Sequence, residues 1–317
     1  MKRLLFVCFA FFLFAARADE IEFDEERWFG VLHQIQNEAV AQKISPRVIN
    51  GVIQESEFVP AIIRRDKNQA EFTRSLSQYL ESAVSPGRVA NGKATMKQYP
   101  TLLKKTEQKY GVQPNVIMAF WGMESDYGAF KSQYRLSDAF LTLIYDGRRE
   151  TFFTKQLFAL MKMASKNKLD VRKIEGSWAG AMGHFQFIPT TLEQYGVDGN
   201  GDGKIDVVNS VGDAMASAGN YLKKMGWSKG DRIMRAVKLP AGFDMSLCDG
   251  ATKLRLSEWR AKGVAGVPQI KKTAGMVCDE SVFPTGYLTY ENFYRVKKWN
   301  NSNSYAIAIA ILADKLK

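Results

Sequence analysis

The sequence predicts an α+β fold that is predominantly helical, and three observations carry that reading. Apolar residues recur at helical spacing along most of the chain. Residues 228–290 break the pattern with clustered glycine and proline and short β-prone runs. The composition, 46% hydrophobic and 24% charged, is that of an ordinary globular protein, which excludes wholesale disorder and collagen-like repeats. At 317 residues the chain is long enough for one large domain or two with a substantial core.

The first element is expected to be removed. Lys2 and Arg3 precede an apolar run from Leu4 to Ala15, followed by Ala16-Arg17-Ala18. A charged start, a short apolar stretch and a small-x-small site read as a signal peptide over residues 1–18. The competing reading is a buried N-terminal helix. The run is too short to span a bilayer, and no other transmembrane segment is expected. Cys8 sits too early for lipid attachment. The mature protein should therefore be periplasmic, either soluble or loosely held at the envelope.

Export changes what the charge means. The chain carries 44 Lys+Arg against 33 Asp+Glu, a formal +11. Cleavage removes Lys2, Arg3 and Arg17 and no acid, leaving 41 basic against 33 acidic residues, or +8. Such an excess points to a polyanionic partner without naming it. An exported protein meets cell wall and anionic lipid rather than nucleic acid. With Cys8 gone, Cys248 and Cys278 remain as an even pair in an oxidising compartment. A disulfide between them would stabilise by roughly 3–4 kcal/mol on the loop-entropy account. Two free buried thiols are the alternative.

Residues 19–100 should form an N-terminal helical region. Trp28, Val31, Leu32 and Ile35 fall on one helical face, and a second helix runs from Phe72 to Val84 before a stop signal at Ser85-Pro86-Gly87. From Gly111 to Gly226 the pattern is again helical, broken by one Gly-rich acidic loop. Residues 228–285 read as a small insert with some strand, carrying both cysteines. Ala306-Ile307-Ala308-Ile309 alternates like a strand, but the length and Ala/Leu content of the run from Tyr305 to Leu316 favour a buried helix.

The most informative stretch runs from Gln113 to Gly128. Pro114 suits a first helical turn and Gly128 a helix end. The helix is apolar almost all round and should be buried. Glu124 then lies on its last turn, where burial and the negative end of the helix dipole both disfavour the charged form. A carboxyl still protonated near neutral pH is what general acid cleavage of a glycosidic bond requires. A helix-end Glu reaching solvent is the alternative. Asp126 is two residues on and points roughly 200° away, so the two make a poor pair for either two-carboxylate glycosidase geometry.

These residues also carry a resemblance. Glu124-Ser125-Asp126-Tyr127-Gly128 resembles the E-[ST]-x-[FYW]-G signature of bacterial lytic transglycosylases. Gly176-Ser177-Trp178-Ala179-Gly180-Ala181-Met182-Gly183-His184-Phe185-Gln186-Phe187-Ile188-Pro189 resembles the hallmark string of the lytic murein transglycosylase B family. Asp66 to Phe72, Arg148 to Phe153, Ala218 to Leu222 and Asn292 to Asn300 are similar to further elements of that family. The resemblance implies a lysozyme-like catalytic core over 101–227 and 286–317. It implies non-hydrolytic cleavage of the β-1,4 bond between N-acetylmuramic acid and N-acetylglucosamine, leaving 1,6-anhydromuramoyl ends, with one Glu as acid and then base.

Carried over, Glu124 takes the acid/base role. Ser177 and Gln186 fall where the family places polar groups near the reacting sugar. Arg148 and Arg149 match cleft arginines, whose guanidinium forks suit muramoyl and peptide carboxylates. Tyr221 matches a cleft tyrosine. Trp299-Asn300 stands where Tyr-Asn is common, so the aromatic has changed.

Asp198-Gly199-Asn200-Gly201-Asp202-Gly203-Lys204-Ile205-Asp206 fits the first nine positions of an EF-hand loop. Asp198, Asn200, Asp202 and the Lys204 carbonyl are hard oxygen donors that suit Ca²⁺ over zinc. Asn209 stands where the closing Glu belongs. The resembling family closes a lengthened loop with an Asp in this region, which implies Asp213 as the candidate last ligand of a loop over 198–213. A structural Ca²⁺ is therefore expected, and no organic cofactor. An unmetallated Asp/Gly turn is the alternative.

His184 lies at a variable position of the family string and reads as packing or cleft wall. His33 has no metal partner nearby, and the widely spaced His and Cys make no zinc constellation. The chain is expected to act as a monomer on peptidoglycan glycan strands, within reach of a cell-wall or secretion complex. A hydrolytic muramidase and a non-catalytic, Ca²⁺-stabilised wall-binding protein are the rival readings. Nucleic acid is disfavoured by export and by the lack of a recognised module.

Overall fold

The computed structural model describes residues 21–68, 74–130 and 133–317. The expected signal peptide, with Cys8, and residues 69–72 of the family-like segment lie outside the described residues.

The chain opens with α1 (Glu25–Ala41), α2 (Pro46–Ile53), α3 (Pro60–Lys67), α4 (Leu76–Ala83), α5 (Pro86–Gln98) and α6 (Pro100–Tyr110). Four of these start with Pro in the first turn, where its missing N–H leaves no helical bond unmade. Ser85-Pro86 reverses the sequence expectation in part. α4 does end just before it, but Ser85 is a helix start: its hydroxyl accepts from the Arg88 amide and Pro86 opens α5.

Next come α7 (Pro114–Ser125), β1 (Tyr134–Arg135), α8 (Leu136–Asp146), α9 (Glu150–Lys166), β2 (Glu175–Gly176), α10 (Pro189–Tyr195) and α11 (Val211–Lys224). β1 and β2 pair antiparallel, Tyr134 opposite Gly176. The helical pattern is interrupted more than the sequence suggests. Residues 177–188 run as turns, with Gly180 at φ 91°, Gly183 at φ 70° and Gln186 at φ 48°. A Cβ on Gly183 would stand 2.3 Å from the Val207 carbonyl oxygen, so only glycine permits that approach.

The remaining elements are β3 (Met234–Lys238), β4 (Leu254–Arg255), α12 (Leu256–Ala261), β5 (Thr273–Cys278), β6 (Thr285–Thr289), α13 (Glu291–Trp299) and α14 (Asn303–Lys315). The four strands form one antiparallel sheet in the order β3-β6-β5-β4. Its apolar cluster, built on Leu256, Trp259, Met276 and Leu288, is separate from the main core. Trp259 is fully buried and donates its indole N–H to the Ala274 carbonyl at 2.9 Å. Cys248 and Cys278 are bonded and tie this region across 30 residues.

α7 lies at the centre of the main core. Val116 through Gly122 are all buried, and α14 packs along it. In α14 Tyr305 through Ala310 are buried in succession, so the strand-like alternation of Ala and Ile faces protein on every side. Phe120 and Trp121 alone remove two large aromatics from water, each worth about 1.5–3 kcal/mol. That burial holds the end of α7 in place.

Candidate active site

Glu124 is the penultimate residue of α7. After Ser125 the next three residues, Asp126 at φ 48°, Tyr127 at φ 61° and Gly128 at φ 86°, are left-handed and turn the chain away. The Glu124 side chain is partly accessible, but its carboxyl is set below the surface. Desolvation raises its pKa from 4.5 to about 7, against hydrogen bonds from Tyr305 and Trp299 that pull it down. The Tyr305 hydroxyl donates to Glu124 Oε1. Burial and the Glu124 charge push that phenol well above its ordinary range. Asp126 is turned to Arg88, whose Nε is 3.5 Å from Oδ1.

Trp299 ends α13 beside this carboxyl. Its ring is 4.9 Å from Phe120, 5.2 Å from Phe187 and 4.9 Å edge-to-face from Tyr221. Tyr221 is buried, with its hydroxyl donated to the Lys298 carbonyl at 2.6 Å. The structure thus ties it to the Trp299 backing, by packing and a main-chain bond. Asn300 is exposed at the end of α13, and its carbonyl accepts from the Ser302 amide at 2.8 Å.

Gln186 lies between Phe185 and Phe187, which both flank Trp299, and its amide donates to the Gly183 carbonyl at 3.0 Å. Ser177 sits further along the same turn-rich segment. Its Oγ accepts from the Ala181 amide at 3.1 Å, while its own amide donates to the Ala181 carbonyl at 2.7 Å. Glu124, Trp299 and Tyr221 are therefore joined by contacts, and Gln186 sits in the turn whose Phe185 and Phe187 pack around Trp299.

Arg148 and Arg149 form a second group. Both bind Asp66 at the end of α3, with Arg148 Nε 2.9 Å from Oδ2 and its Nη2 2.9 Å from the Asp66 carbonyl. Asp66 is 2% exposed, whereas both guanidiniums remain part-exposed. Sequence reading matched the pair to cleft arginines. The structure shows a carboxylate already holding them, which aims the pair and offsets part of its charge.

The acidic loop has EF-hand-like order. Asp198 accepts from the Gly201 and Gly203 amides, Asn200 Oδ1 from the Asp202 amide and Asp202 Oδ1 from the Lys204 amide. Gly201 and Gly203 adopt φ 84° and 83°. Asp198, Asn200, Asp202 and the Lys204 carbonyl are the hard oxygen set calcium takes, and they fit it in kind. Asp213 is different. It is fully buried, and its two oxygens accept from the Gly199, Asn200 and Asp206 amides. Among the described residues no group of three or more His, Cys, Asp or Glu gathers as a metal cage. Asp213 was expected as the last ligand, and through these amides its carboxylate also ties the two ends of the loop together.

Sequence reading missed Tyr305, the nearest partner of Glu124. Its only sequence signal was a tyrosine opening an otherwise aliphatic buried helix.

A family model for the transglycosylase SLT domain matches residues 28–314. The chain is 31% identical to the membrane-bound lytic murein transglycosylase B of Escherichia coli K12 over 276 residues, 81% of this chain and 74% of that protein. It superposes on SltB3 of Pseudomonas aeruginosa, solved with NAG-NAM-pentapeptide, with a TM-score of 0.87 and 37% identity, covering 91% of this chain and 79% of that one. It superposes on SLT35 of Escherichia coli, solved with calcium, with a TM-score of 0.80 and 28% identity over 90% and 92% of the two chains. The helical core around α7 has the lysozyme-like fold of these neighbours. With one family model over nearly its whole described length and a relative almost one-third identical, the chain belongs to the transglycosylase SLT-domain family of lytic murein transglycosylases.

Proposed function

We propose that this protein is a lytic transglycosylase that cleaves the MurNAc–GlcNAc β-1,4 bond of peptidoglycan without water, using Glu124 alone as acid and then base. The observation that carries this is a single carboxyl whose pKa lies at about 7, with Asp126 engaged elsewhere by Arg88. A group with that pKa holds a proton for the leaving oxygen and is a competent base once it has given it up. The muramoyl C6 hydroxyl then attacks C1 of the same sugar and returns a proton to Glu124, closing the 1,6-anhydro ring. The sugar N-acetyl group assists at C1. Tyr305 and Trp299 steady the carboxylate that exists between the two steps.

Gln186 and Ser177 line the approach of the sugar, Trp299 borders it with Tyr221 as backing, and Asn300 contacts it from the exposed end of α13. Arg148 and Arg149, braced by Asp66, meet the lactyl or peptide carboxylates. SltB3 was solved with NAG-NAM-pentapeptide and with NAG-anhNAM-pentapeptide, substrate- and product-like glycans that support this reading. Asp198, Asn200, Asp202 and the Lys204 carbonyl, with Asp213 as the closing ligand, would hold Ca²⁺, which would brace the loop and take no part in the chemistry. The 228–285 segment is an insert into a core formed by 101–227 and 286–317. Peptidoglycan lies outside the cytoplasmic membrane, so residues 1–18 serve export to the periplasm. No helix among the described residues is long and apolar enough to cross a membrane.

Mass spectrometry of products from purified sacculi tests the proposal. Anhydromuramoyl ends, lighter by one water than hydrolysed ends, are expected. Reducing muramoyl ends would make the protein a muramidase, and intact sacculi with retained binding would make it a wall-binding protein.

A further inference from the structure

His184 occupies a place that nothing in its chemistry requires for sugar binding, yet it grips the helix that carries Glu124 at two points. Its carbonyl accepts from the Ser125 hydroxyl at 2.6 Å. Its ring Nδ1 accepts from the Trp121 indole N–H at 3.2 Å, with the rings edge-to-face at 5.2 Å and 85°. Ser125 and Trp121 are 3% and 1% exposed, so both donors are cut off from water. They lie on the last turn of α7, one residue after Glu124 and three before it. The Ser125 oxygen also accepts from the Gly128 amide at 3.0 Å, which pins the left-handed exit from the helix.

The other side of His184 is fixed as well. Its amide donates to the Val207 carbonyl at 3.2 Å, and Gly183 lets the two main chains approach. Gly128 leaves room for the imidazole: a Cβ there would stand 2.7 Å from Nδ1. Burial keeps the ring's pKa below its ordinary value, so the neutral form with an acceptor at Nδ1 persists. The two grips differ in kind. Any residue at 184 supplies the carbonyl. Only a side chain with an acceptor at the Nδ1 place can satisfy the buried indole of Trp121.

We propose that His184 is a positioning residue for Glu124, acting through its Nδ1 bond to Trp121 to hold the last turn of α7 at the angle the proton transfer needs. This rests on the reading of Glu124 as the acid. A loose helix end moves a carboxyl that must meet a glycosidic oxygen at hydrogen-bond distance, and small misplacements of such a group lower kcat steeply. His184 is half-buried and reaches Glu124 through the buried Trp121 and Ser125, so its loss is expected in kcat rather than in KM.

The test compares wild type, His184→Phe, His184→Asn and Glu124→Gln on soluble uncrosslinked glycan strands. Phe keeps a ring but has no acceptor. Asn can place its Oδ1 near the Nδ1 position. His184→Phe is expected to lose about tenfold in kcat with KM within about twofold, and His184→Asn to recover kcat to within about twofold of wild type. Should His184→Phe not fold by circular dichroism, His184→Met, an apolar chain without a strong acceptor, is measured in its place. Wild-type kcat in the apolar variant, a loss confined to KM, or an Asn variant as impaired as the apolar one would each overturn the proposal. Glu124→Gln keeps the two readings apart. If it retains turnover, the acid assignment itself fails. If it is inactive while His184→Phe is unimpaired, only the positioning role fails.

Discussion

Glu124 and Asp213 both carry carboxyls withdrawn from water, but the chain meets them differently. Asp213, on the first turn of α11, accepts from three main-chain amides, at 2.9, 3.2 and 2.8 Å. Glu124, on the last turn of α7, has a phenol and an indole, and no amides of a helix start to turn to. At Asp213 the protein replaces hydration with fixed N–H dipoles. At Glu124 the replacement is partial, and the carboxyl answers by keeping its proton to about pH 7.

The comparison breaks most visibly at Glu124. Glu124→Gln is expected to lower turnover by about 10³-fold, the scale of a lost general acid, while sacculus binding in a pull-down is kept. Substantial residual turnover would remove Glu124 from the reaction.

Next in size is Asp213→Ala, which leaves three buried amides without an acceptor. A loss of about 3–5 kcal/mol in urea unfolding is expected, less than three independent penalties because the loop can relax. A loss below about 1 kcal/mol would show that water replaces the carboxylate readily.

Glu124→Gln should also change stability, with a sign set by pH. The folded pKa of about 7 lies above the ordinary 4.5, so the folded state binds more protons between those values. Stability contributed by this group therefore falls as pH rises from 4.5 through 7. Replacing the carboxyl removes that penalty. The variant should gain about 3 kcal/mol over wild type at pH 8.5 and nothing comparable at pH 4. A pH-independent difference would argue against the raised pKa.

Calcium sharpens the Asp213 side. Free Ca²⁺ at a hundred times its dissociation constant would stabilise by about 2.7 kcal/mol, read as a rise in Tm that Asp198→Asn with Asp202→Asn abolishes. A Tm indifferent to Ca²⁺ and to chelator would make the loop a bare turn.

The smallest change is Tyr305→Phe. The Tyr305 hydrogen bond lowers the Glu124 pKa, so its loss raises it further and moves the alkaline limb of kcat/KM upward, with about a tenfold loss in rate. A downward shift of that limb would refute the donor role of Tyr305.

Much of the site was legible because its signals are local. Pro114, the all-apolar run and Gly128 marked α7 and put Glu124 near its end. The Asp-x-Asn-x-Asp-Gly spacing marked the loop, and the Ser177–Pro189 string carried the family. Signals with two local meanings were harder. Ser85-Pro86 can close one helix or open the next, and here it does the second within two residues of the first. Asp213 was read as a ligand because the family it resembles closes a lengthened loop with an Asp in this region. Only the structure shows that its carboxylate also clasps the loop through three main-chain amides.

By itself the sequence determined the helical class, the buried end of α7, the lone carboxyl there and the order of oxygen donors in the loop. Propensity, capping and periodicity act over a few residues and can be read in one dimension. Tertiary structure alone decided that Tyr305 donates to Glu124 across 181 residues, that Asp66 takes Arg148 across 82, and that His184 meets Trp121 across 63. Apolar burial drives such meetings, and it is non-directional: it says that two faces will close, and not which polar side chains will find each other when they do.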